Sequence, residues 1–249
     1  MNKNRYQNII NYSISILIIL SSIFLIKNYI DKINYFKIKK IIVTGNNFVS
    51  NDDIVNSIDK TLTGNRILNL NLFEIQKHVN KNPFINSSKI FTYFPSTLCI
   101  DINEINPIAF YEKNNKIYII DFNLNSIEAN IESLNFFNLP TILEIKNNQA
   151  IDYEQASTIL KNICENDKNL YSKIHSIYYE NLNFNLILEN KTKIKLSKEN
   201  IVKELEVLFS FINTIKNIKE ISSYKYIDLT IKNQIIAKEK NIKLWIKKT

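Results

Sequence analysis

Between Ile9 and Ile26 the chain carries no charged side chain for 18 residues, and this run limits the fold more than any other stretch. About 20 apolar residues cross a hydrocarbon core of roughly 30 Å, and a helix satisfies its own backbone there. Asn11, Ser13, Ser15, Ser21 and Ser22 dilute the run, but such side chains bond within a helix or sit near an interface. A cleaved leader needs small residues just after its apolar core. Here that place holds Lys27-Asn28-Tyr29-Ile30-Asp31-Lys32, and the first alanine is Ala109. Residues 9–30 therefore read as an uncleaved transmembrane helix behind a short tail, 1–8. No face of the segment is polar enough to meet water in a soluble domain.

Charge says less. The net charge is +8 and the pI is near 9.2, a balance that suits nucleic acid or anionic membrane. The lysines are spread along the chain, and no basic run is interleaved with aromatics as a stacking platform requires. Arginine occurs only at Arg5 and Arg66 while Lys, Asn and Ile crowd the chain, the signature of an AT-rich genome. Nucleic acid is therefore not an expected partner. The densest basic stretch, 238–249, reads as a loosely held tail in which Leu244 and Trp245 could serve as an anchor. Lys3 and Arg5 precede the apolar run and Lys27, Lys32, Lys37, Lys39 and Lys40 follow it. A plain count would put the large part in the cytoplasm, but long domains translocate largely regardless of charge. The charges leave orientation open.

The sequence holds no constellation for chemistry. Cys99 and Cys164 read as free thiols, with Cys99 on the polar side of its strand. His78 and His175 stand apart from any Cys, His or carboxylate at metal-ligand spacing. Gly45 and Gly64 are the two glycines and both fall in turns, so there is no phosphate loop. No catalytic residue, cofactor, metal or small-molecule substrate is expected.

Beyond the anchor, two modules are legible. Phe36–Thr44 is Ile- and Val-rich and stops at Gly45-Asn46-Asn47, a strand and a turn. Ser50 stands as an N-cap with Asp52 and Asp53 in the first turn, and Ile54, Val55, Ile58 and Leu62 continue at helical spacing until Gly64. Asn71 with Glu74 opens a second short helix carrying Leu72, Ile75 and Val79, which Pro83 ends. Ile85–Phe94 and Thr97–Glu104 are strands joined at Pro95. In the latter, Leu98, Ile100 and Ile102 alternate with Cys99, Asp101 and Asn103. Strand, helix, helix, strand, strand over 36–104 makes a small two-layer module. Pro107 then breaks the chain before a second one, 106–237. Ile108–Lys113 and Lys116–Asp121 form a hairpin about Asn114-Asn115, and Tyr153–Cys164 is a helix. Ile174–Tyr179, Phe184–Leu188 and Thr192–Leu196 are strands, Ile201–Ile212 a longer helix, and Lys225–Ile231 and Ile235–Ala237 the closing strands. The fold class is α+β, the second module mostly antiparallel β with flanking helices.

The run Tyr93–Phe110, read as Phe-Pro-x-x-Leu-x-Ile-x-Ile-x-Glu-x-x-Pro-x-Ala, resembles the junction between the POTRA module and the second extracytoplasmic module of the bacterial cell-division family FtsQ, called DivIB in Gram-positive bacteria. Val43-Thr44-Gly45-Asn46, Leu70-x-Leu72 and Asn82-Pro83-Phe84-Ile85 are similar to family stretches in the same order. So are Ile119-Ile120-Asp121-Phe122-Asn123 and Leu139-Pro140-Thr141-Ile142. Tyr226-Ile227-Asp228-Leu229 resembles the family's Tyr-x-Asp-Leu-Arg-aromatic run, but Thr230 replaces the arginine, Ile231 the aromatic, and Gln234 a usual glycine. The resemblance implies a non-catalytic, single-pass inner-membrane scaffold of the divisome, enriched at the septum, with a short cytoplasmic tail and its bulk in the periplasm. It implies FtsB and FtsL as partners, with FtsK upstream. A terminal strand with an unpaired edge captures an extended segment by backbone pairing. Tyr226, Asp228, Thr230, Ile231, Asn233 and Ile235 are the expected partner-binding residues, while Ile227 and Leu229 fill core. For Asp228, satisfying a turn and touching a partner stand as equal readings. The alternatives are another POTRA-bearing envelope protein that guides polypeptides to an outer-membrane assembly, or a membrane-tethered enzyme.

Overall fold

The computed structural model describes residues 3–62, 66–144, 152–232 and 234–240. It comprises one unit of Met1–Glu104 and a second of Ile105–Thr249.

The first unit opens with α1 (Lys3–Lys32), which runs past both expected ends of the anchor. Its stretch Ile10–Lys32 has a mean hydropathy of 1.9, and none of it is buried within the protein. Leu17, Leu20 and Leu25 are 69%, 61% and 67% exposed, a surface that water does not tolerate over such a length. At about 1.5 Å per residue this stretch exceeds a core of roughly 30 Å. The serines are satisfied inside the helix: Ser15 donates to Asn11 O at 2.9 Å, and Ser21 and Ser22 donate to Ile18 O at 2.9 and 2.8 Å.

β1 (Lys40–Thr44), α2 (Asn51–Ile58), α3 (Leu72–Val79), β2 (Ile85–Tyr93) and β3 (Thr97–Glu104) follow in the expected order. β3 lies centrally, parallel to β1 and antiparallel to β2. Ser50 Oγ accepts from Asp53 N, and Asn71 Oδ1 from Glu74 N, so both expected caps form. Ile54, Ile58, Ile75 and Val79 on the helices and Leu98, Ile100 and Ile102 on β3 are buried. Each such side chain contributes roughly 1.5–3 kcal/mol by leaving water. Some boundaries differ from the sequence reading. β1 starts at Lys40 rather than Phe36, because 33–37 turn on themselves and Lys37 bridges to Arg66. α2 ends at Ile58 in a 3-10 turn, and the expected break at Gly64 lies outside the described residues. α3 stops at Val79, four residues before Pro83. Cys99 is buried, not on a polar face. In the central strand it faces Ile42 on one side and Phe91 on the other, and these larger neighbours cover it.

In the second unit, β4 (Pro107–Lys113) and β5 (Lys116–Asp121) form the expected hairpin. Asn114 and Asn115 take positive φ of 54° and 59°, the geometry of a tight hairpin turn. Pro107 opens β4 rather than preceding it, a place where its missing N–H costs nothing. Then come β6 (Ser126–Glu128), α4 (Ile131–Phe136), β7 (Thr141–Leu143), α5 (Tyr153–Asn166), α6 (Lys168–Tyr171), β8 (Ile174–Glu180), β9 (Asn183–Leu188), β10 (Lys193–Ser197), α7 (Ile201–Ile215), β11 (Tyr224–Asp228) and β12 (Ile236–Glu239). The nine strands form one sheet in the order β12-β11-β10-β9-β8-β7-β4-β5-β6. Five of its pairings are antiparallel and three parallel. α5 buries Ala156, Ile159, Leu160 and Ile163, and α7 buries Leu205 and Leu208, in the same core as Phe184, Leu186, Ile194 and Ile227. Tyr171 Oη donates to Ile108 O at 2.7 Å, tying α6 to β4, and burial pushes its phenol well above the ordinary range.

Candidate partner-binding edge

The nine-stranded sheet ends on β12, whose four residues are all exposed. β12 pairs with β11 through Tyr226↔Lys238, Ile227↔Ala237 and Asp228↔Ile236, with a bulge near Tyr224. Among the described residues no strand pairs with its outer side. β11 is well held from within. Ile227 is fully buried and pairs with Ile194 of β10, and Thr192 Oγ1 donates to Tyr224 O at 2.6 Å.

The expected partner residues fall in three places. Tyr226 and Asp228 lie on β11, one strand in from the edge. Thr230, Ile231 and Ile235 lie in the connection 229–235, not on a strand. Asn233 lies outside the described residues. The closing strands thus differ from the sequence reading: β11, Tyr224–Asp228, stops three residues before Ile231, and β12, Ile236–Glu239, runs two residues past Ala237. The cause is Asp228 itself. Its Oδ1 accepts from Thr230 N at 3.0 Å and Thr230 Oγ1 at 2.7 Å, a side-chain turn that takes the backbone out of the ladder. Its Oδ2 lies 3.6 Å from Lys195 Nζ. Partial burial pushes the carboxyl up, but the Thr230 and Lys195 interactions outweigh it and hold Asp228 below the ordinary aspartate range. Asp228 therefore serves the turn, and Thr230 completes it.

The connection and α7 enclose a groove of about 450 Å³, lined by Val207, Leu229, Thr230, Ile231 and Ile235 with Lys203 and Lys232 also on its wall. Leu229 is buried, as core, whereas Ile231 is 41% exposed. Glu204, also on this wall, is buried and accepts hydrogen bonds from Ser197 N and Ser197 Oγ, closing the turn from β10 into α7. Lys203, Glu204 and Val207 were not among the expected residues. Their signal is faint: Glu204 sits three residues after Ile201, on the apolar stripe where a carboxylate is out of place unless bonded. The basic tail begins later than expected. Lys238 and Glu239 belong to β12, and Lys240 is held, its Nζ donating to Asn190 O at 2.7 Å and Ser222 O at 3.0 Å. Residues 241–249 lie outside the described residues. Among the described residues no three His, Cys, Asp or Glu side chains converge as a metal site.

Comparison with known proteins shows what the chain is similar to. Residues 36–104 match the model of the POTRA domain, FtsQ-type. The cell division protein FtsQ of Rickettsia bellii is 26% identical over 199 residues, covering 80% of this chain and 71% of that one. The cell division protein DivIB of Clostridium acetobutylicum is 32% identical over 110 residues, covering 43% of this chain and 44% of that one. A solved extracytoplasmic domain of DivIB from Geobacillus stearothermophilus superposes with a TM-score of 0.32 at 8% identity over 47% of this chain and 99% of that one, too loosely to bear on the fold. The expected order of elements, the anchor-like α1, the matched 36–104 module and these relatives agree: the chain is similar to the FtsQ and DivIB cell-division proteins, and its residues 36–104 match their POTRA module.

Proposed function

We propose that the chain is a non-catalytic scaffold of the division machinery, anchored in the inner membrane by α1, with its bulk in the periplasm and enriched at the septum. It captures FtsB- and FtsL-like membrane proteins, with FtsK acting upstream. The observation that supports this most is β12, an exposed four-residue strand at the end of the sheet. Its outward N–H and C=O groups offer a ladder to an extended partner segment. The groove beside α7 receives an apolar side chain from the same partner, and Lys203 and Lys232 favour acidic residues next to it. The pairing edge is thus Ile236–Glu239, with Ile231 and Ile235 serving the groove.

Proline substitution tests the ladder. Along an edge strand successive N–H groups face alternately inward and outward. Of A237P and K238P, the one whose N–H faces outward should keep a cooperative melt and weaken capture of an FtsB-like periplasmic segment by about tenfold, roughly 1.4 kcal/mol. I231E should weaken it similarly through the groove. Unchanged capture by all three, with the fold intact, removes this edge as the site.

A further inference from the structure

The residues between α1 and β1 fold back at once. Ile33 N donates to Tyr29 O at 3.1 Å, Tyr35 N to Ile30 O at 3.2 Å, and Lys37 N to Asn34 O at 3.0 Å. Arg66 Nη1 pairs with Asp31 Oδ1 at 2.7 Å, and Ile67 N donates to Phe36 O at 2.8 Å. Residues 66–69 are thereby held beside the last turn of α1. Lys39 N and Lys40 N both donate to Ser96 O, at 2.9 and 3.3 Å, so the β2–β3 turn lies at the same end of the small sheet. At this end Leu68, Tyr93 and Phe94 are 59%, 63% and 65% exposed. Lys37, Lys39 and Lys40 are exposed around them.

A headgroup layer adds several ångströms to each side of the hydrocarbon core. Side chains held next to the end of a membrane helix fall within it. Aromatic rings settle at that level, and lysines settle against anionic headgroups. We propose that this end of the first unit is a membrane-contact surface. Leu68, Tyr93 and Phe94 enter the headgroup region of an anionic phospholipid bilayer, and Lys37, Lys39 and Lys40 lie against its phosphates. The inference rests on α1 being a membrane anchor, which supplies the continuity, and commits to lipid rather than protein as the occupant. It gives the module a fixed seat on the membrane instead of a free tether.

The test uses the full chain in nanodiscs of phosphatidylcholine and phosphatidylglycerol, with W245F removing the native tryptophan. Tryptophan is placed in turn by F94W, by N47W at the far end of β1, and by I18W within the anchor. Brominated lipids then quench emission at short range. F94W is expected to lose about half its emission and N47W almost none, with I18W strongly quenched, as depth in the bilayer dictates. Adding K37E, K39E and K40E should reduce the quenching of F94W. Quenching of F94W no greater than that of N47W, with I18W quenched, overturns the contact while leaving the anchor intact. An unquenched I18W overturns the anchor and the contact together. A blue-shifted but unquenched F94W assigns the surface to a protein partner and overturns the lipid assignment.

Discussion

Glu104 shows how one residue can be marked in the sequence and still withhold its role. It was legible as the end of β3. Its carboxylate also accepts from three consecutive backbone donors in the turn after β1: Asn47 N at 3.1 Å, Phe48 N at 3.0 Å and Val49 N at 2.8 Å. Those partners lie more than fifty residues away in the chain, and no local pattern announces them. Glu104→Ala leaves these donors without their acceptor and should cost about 1–3 kcal/mol, read from the shift in urea midpoint. Gly45 was read as a turn residue, and its φ of 81° agrees. A Cβ there would stand 2.0 Å from Ile102 O, so Gly45→Ala forces the backbone apart and should destabilise at least as much. Asp228 has a pH signature. Its folded pKa is depressed, so its contribution is complete above the unfolded value of about 3.9 and lost as pH falls through the folded one. Asp228→Asn should therefore melt below the parent chain at pH 7, with the gap closing in acid. A gap that persists at pH 2 would show that the Thr230 turn does not depend on the charge.

At the scale of elements, what the sequence shows depends on where an element finds its partners. The caps at Ser50 and Asn71 and the alternation along β3 act within a few residues, and they appear where expected. The Asn114-Asn115 hairpin does too. β7 is three residues long and exists because β4 and β8 flank it in parallel, which no three-residue pattern can signal. α4 depends on the reciprocal Asn130–Ser133 cap in a chain where Asn is everywhere. The candidate edge was legible as a terminal strand, but its register was read too early because the Asp228–Thr230 turn uses residues that also suit a strand. The five elements of 36–104 close their own sheet and core. That segment produced alone should melt cooperatively and give dispersed amide resonances. Within it Ile100→Asp, fully buried in the central strand, should abolish folding, since a buried unpaired carboxylate costs several kcal/mol. A broad melt of the unmodified segment would show that its core needs the second unit.

For the whole molecule, one apolar helix opens the first of two units of mixed α and β structure, which fits a single-pass membrane protein of cell division. The side of the membrane is a matter of topology rather than charge. A reporter active only in the periplasm, fused after Thr249, should be active, and strong activity of a cytoplasmic reporter at the same place would reverse the orientation. The central claim is capture of an extended partner along β12. Hydrogen exchange of the full chain in nanodiscs, with and without an FtsB-like periplasmic segment, tests it most directly. Outward-facing amides within Ile236–Glu239 should gain protection on binding, while the buried amides of β11 change little. Protection confined to α7 or to the first unit, with β12 exchanging as in the free chain, would contradict strand addition at this edge.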